Sequence, residues 1–65
     1  MNIFTIRNNL KNTILGKKLL LAEYNAGKDE SALVRDVMVQ VLKINIDELS
    51  KILESVEICC KENDE

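Results

Sequence analysis

Between residues 38 and 59 apolar side chains recur in steps of four and three: Met38, Leu42, Leu49, Ile52, Val56 and Cys59, with Asn45 at the one polar step. That spacing predicts the seam of a helix lying along a partner helix. Val34 and Val41 are expected to widen the seam toward its N-terminal end. An amide at Asn45 stands where a hydrophobe would be more stabilising, and in a seam such a residue serves register or partner choice. A second reading ends the helix near Ile44 and makes Asn45 the cap of a third helix, with Glu48 three residues on as in a capping box. A strand over residues 37–46 is disfavoured, because consecutive apolar pairs such as Val41 and Leu42 break the alternation a strand needs.

Residues 3–26 read as one helix. Ile3, Ile6, Leu10, Ile14, Leu21 and Tyr24 fall in a narrow arc, with Thr13 and the stem of Lys17 filling the gap. On the other side Phe4, Leu15, Leu19, Ala22 and Ala26 form a second apolar stripe where a simple amphipathic helix would be charged. A helix apolar on two sides requires two partners. Gly16 lies mid-helix at a cost of about 1 kcal/mol relative to Ala, which a close helix approach would offset.

The reversal is expected at residues 26–29. Gly27 suits the left-handed position after a helix, Asp29 suits an N-cap, and Glu30 beside it favours the new helix dipole. The expected fold is therefore all-α: an antiparallel hairpin of helices over about 3–26 and 29–62, with residues 62–65 as a frayed tail. The alternative is a three-helix bundle broken near residues 44–47. The whole is one domain, since the chain has no Pro, two Gly and no linker-like tract.

Length adds a constraint. A chain of 65 residues buries only about 60% of its unfolded surface, so pairing of two hairpins into a four-helix bundle is the expected remedy. The second stripe, Phe4, Leu15, Leu19, Ala22 and Ala26, is the expected oligomer interface. No metal or cofactor is expected: there is no His, and the two thiols are the adjacent Cys59 and Cys60, which diverge by about 100° on a helix. Both are expected to act as small hydrophobes in a reducing compartment, Cys59 in the seam and Cys60 beside it. The longest strongly apolar run, residues 19–22, is far short of a membrane span, and no secretory signal opens the chain. A cytoplasmic protein is expected.

Charge separates along the chain. Residues 1–28 carry Arg7, Lys11, Lys17, Lys18 and Lys28 against Glu23, whereas residues 29–65 carry ten acids against four bases. A hairpin lays these halves side by side, so part of the asymmetry is internal complementarity. Glu54 and Glu57 are read as a solvated face, with Lys61 spaced to pair with Glu57. Arg7, Lys11 and Lys18 share one flank of the first helix and could meet nucleic acid or an acidic protein, against which stands the pI of about 5.1.

Catalysis is not expected. The chain lacks a His base, a phosphate loop and a nucleophile motif, and its adjacent acids point apart on a helix. The run Ile6 to Lys11, the turn at Gly27 and the run Ile44 to Leu49 resemble small accessory proteins of phage and prophage early regions. In architecture the chain is similar to plasmid repressor-of-primer proteins, which implies a four-helix bundle of two hairpins and no residue roles. The expected function is that of a homo-oligomeric helical regulator or inhibitor acting on a host or partner protein. The alternative is a nucleic-acid-binding regulator using the basic flank of the first helix.

Overall fold

Two helices, α1 over Ile3–Ala26 and α2 over Ala32–Asn63, form an antiparallel hairpin. The computed structural model describes residues 2–27 and 31–63. Asn2 starts α1 in extended conformation, its Oδ1 accepting from the Thr5 N–H at 2.9 Å and from the Thr5 hydroxyl at 3.1 Å. That cap satisfies one of the donors a helix N-terminus leaves unpaired. At the other end Gly27 takes the left-handed conformation, φ 62° and ψ 37°, and its N–H donates to the Tyr24 carbonyl at 3.1 Å. The stop expected at Gly27 is therefore present.

The start of α2 differs from expectation. Ser31 caps it, with its hydroxyl accepting from the Val34 N–H at 3.2 Å and its carbonyl accepting from the Arg35 N–H at 2.9 Å. The helix begins at Ala32, and the expected cap Asp29, with Glu30, lies outside the described residues. Its far end reaches Asn63, one residue past the expected end; residues 64 and 65 of the expected tail lie outside the described residues. α2 passes through residues 44–47 without a break, which removes the three-helix reading and Asn45 as a cap. Among the described residues there is no strand.

The seam joining the helices has the expected place on α1 and a different phase on α2. Ile14 is buried, and Ile3, Ile6, Leu10, Lys17, Leu21 and Tyr24 are half-buried along the same stripe, while Thr13 is exposed and donates its hydroxyl to the Asn9 carbonyl at 2.8 Å. On α2 the inward residues are Met38, Val39, Leu42, Ile46, Leu49, Leu53, Val56 and Cys60. Ile52, Cys59, Val34 and Val41 are exposed and lie outside the seam. The cause is geometric. A strict heptad repeat assumes 3.5 residues per turn, whereas a straight helix has 3.6, and the difference accumulates to about 20° per heptad. By the third heptad the inward position has moved on by one residue, from Ile52 to Leu53 and from Cys59 to Cys60. The Cys60 thiol then lies against the start of α1, its Sγ 4.0 Å from the Ile3 carbonyl oxygen.

A hairpin encloses little. Ile14, Val39, Leu42 and Cys60 are the buried apolar residues among those described, and no side chain is completely enclosed. The molecule measures 50 × 16 × 14 Å with a radius of gyration of 15.0 Å, against about 11 Å for a compact domain of this length.

Candidate interaction surface

The second stripe of α1 is open in the hairpin. Leu15 and Leu19 are exposed, Leu19 at 62%, and Ala22 and Ala26 beside them are exposed as well. Phe4, expected to share this exposure, is half-buried, and the Arg7 guanidinium carbon lies 5.5 Å from its ring centroid. That distance suits a cation–π contact, which covers the ring from one side. The structure therefore brings Leu15, Leu19, Ala22 and Ala26 together and sets Phe4 apart from them.

α2 carries an exposed stripe that the sequence reading missed. Leu33, Val37 and Ile44 point away from α1, Leu33 at 74% exposure, with Ile58 farther along. Their signal is present in the sequence as the spacing of Leu33, Val37, Val41 and Ile44, which repeats at helical period. Val41 also fits the spacing of the inner seam, which masks the outer stripe. The half of the hairpin nearest the turn is consequently apolar on both of its outer edges.

The basic flank is largely occupied. Lys11 Nζ lies 3.4 Å from Glu57 Oε1 across the hairpin, so Glu57 pairs with α1 and not with Lys61 as its spacing suggested. Arg7 is half-buried over Phe4, and its Nε is buried with no hydrogen-bond partner among the described residues. Of the three cations only Lys18 has neither an ion pair nor a ring contact among the described residues. It borders an open recess of about 220 Å³ with Lys11, Ile14, Leu15 and Leu53. A second ion pair, Lys51 Nζ to Asp47 Oδ2 at 3.2 Å, stays within α2.

Asn45 is half-buried on the flank of α2, and its side chain makes no hydrogen bond among the described residues. Cys59 is exposed and Cys60 buried, both as free thiols. Among the described residues no three His, Cys, Asp or Glu side chains gather as metal ligands would, and no helix is long and apolar enough to cross a membrane. Chemically the arrangement offers apolar contact area, a polar amide within it and an opposite charged side. No protein-family model, curated protein or solved structure matches this chain.

Proposed function

We propose that this chain is a non-enzymatic helical interaction protein that works as a homo-oligomer and regulates or inhibits another protein by occupying its surface. The observation that carries the reading is apolar area left open on both helices. Leu15, Leu19, Leu33, Val37 and Ile44 stay exposed after the hairpin has closed its own seam. Patches of this kind mark protein contacts more often than free surface. The total accessible surface, 4905 Å² for 7.4 kDa, exceeds by roughly 700 Å² what a compact monomer of that mass exposes. A standard protein interface takes about 800 Å² from each partner. Leu15, Leu19, Ala22 and Ala26 form part of the binding surface in this reading.

Two measurements test it. Sedimentation equilibrium at about 100 μM should give a species larger than the monomer, and the melting temperature should rise with concentration. Titration of duplex DNA and structured RNA at about 50 mM salt, where phosphate contacts are strongest, should show no binding. A strict monomer removes the homo-oligomer, and salt-sensitive nucleic-acid binding replaces the protein-contact reading with the basic-flank one.

A further inference from the structure

The hairpin has two broad faces, and they differ in charge. The Lys11 to Glu57 ion pair marks one of them. Projected at about 100° per residue, Lys18 falls on the same flank of α1, and Lys43, Glu54 and Lys61 fall on the same flank of α2. On the opposite face α1 presents Thr13, Gly16, Leu20 and Tyr24. α2 presents Val34, Met38, Val41, Asn45, Ile52 and Val56 there. Among the described residues Glu23, about 20° from Gly16, and Glu48, about 20° from Val41, are the charged groups on the outer half of this face, and Lys17 runs half-buried along the seam between the helices. The exposures agree with the projection: Leu20 at 39% and Ile52 at 51% are more shielded than the outward Leu19 and Leu33.

We infer that a second copy of this chain packs on this less charged face, which makes that face, and not the outer stripe of α1, the self-contact of the proposed homo-oligomer. Three observations select a second copy as the occupant. A twofold contact sets a surface against itself, and this face carries two charged groups, Glu23 and Glu48, both toward its outer edge, far fewer than the face marked by the Lys11 to Glu57 pair. Asn45, unpaired among the described residues, carries both amide donors and an acceptor, so it can pair with its own copy. Gly16 has nothing within 4 Å of where a Cβ would stand. Nothing in the hairpin requires a glycine there, whereas a second backbone approaching across the face does. Gly16 lies near the middle of α1 and Asn45 near the middle of α2. The excess of roughly 700 Å² over a compact monomer is of the size one partner contributes to a standard interface.

This inference rests on the homo-oligomer proposed above, and one experiment separates the two. Sedimentation equilibrium of the full chain at about 100 μM should return twice the 7.4 kDa monomer. Gly16→Leu should raise the dimer dissociation constant by more than about tenfold, because the added side chain overfills the contact. Its helicity by circular dichroism should be retained, since the new side chain meets open space within the hairpin. Leu19→Glu, on the outer stripe, should remain a dimer. A monomeric parent protein overturns both the inference and the oligomeric part of the proposed function. A dimer that survives Gly16→Leu, or one that Leu19→Glu dissociates, overturns the face alone.

Discussion

At Gly27 the chain reverses with φ at 62°, a conformation that costs a β-branched residue far more than glycine. The site is also crowded, because a Cβ there would stand 2.5 Å from Arg35 Nη1 and 3.2 Å from its Cδ. Gly27→Val should therefore destabilise the hairpin by roughly 1 kcal/mol or more, read as a fall in melting temperature. An unchanged melting temperature would place the strain elsewhere. Arg7 presents the opposite situation. Its Nε is buried without a partner among the described residues, a state that costs about 1–3 kcal/mol, while its contact with Phe4 returns about 0.5–1 kcal/mol. Arg7→Met keeps the apolar stem and removes the orphaned donor, so it should raise stability by up to about 1 kcal/mol in chemical denaturation. A loss of stability would show that the ring contact outweighs the unpaired nitrogen.

Within each helix the phase of the apolar seam decides which residues are held. Leu42 is 3% exposed and Cys60 equally so, and Leu42→Ala should cost about 2–4 kcal/mol. The two thiols read the phase directly. A thiol reagent added to dilute folded protein should modify Cys59 quickly and Cys60 only at the rate of opening, with mass spectrometry assigning each site. Equal rates, or a protected Cys59, would restore the 3.5-residue seam. The span of α1 and the stop at Gly27 were readable because they depend on local signals that act within one turn. The continuity of α2 was readable because nothing between Ile44 and Asp47 forces a break. The choice of Leu53 and Cys60 over Ile52 and Cys59 was not, because a fraction of a residue per turn becomes visible only after several turns. Ser31 is followed by three apolar residues and carries a capping signal of its own, but the acidic pair before it offered a competing start. The less charged face was the least legible, since it exists only once both helices have a fixed rotation about their axes.

For the whole molecule the governing quantity is surface that two helices cannot hide from water. A hairpin 50 Å long and 16 × 14 Å across has no interior comparable to a compact domain, and its small set of buried residues must hold 56 helical residues in place. Charge contributes little to this. Lys11 and Glu57 are about half exposed, and exposed pairs contribute about 0.2–1 kcal/mol, screened by salt. Raising salt from about 0.05 to 1 M should therefore weaken the hairpin by at most about 1 kcal/mol. Association has a much larger lever. If two chains unfold together with about 0.7 kcal/mol of enthalpy per residue, a dimer of this length absorbs about 90 kcal/mol on melting. Mass action then couples concentration to stability, and each tenfold dilution should lower the melting temperature by about 5 °C. The measurement is a series of thermal melts by circular dichroism from about 1 to 100 μM. A melting temperature that stays constant across that range would mean that the isolated hairpin carries its full stability alone and that no second copy covers its apolar faces.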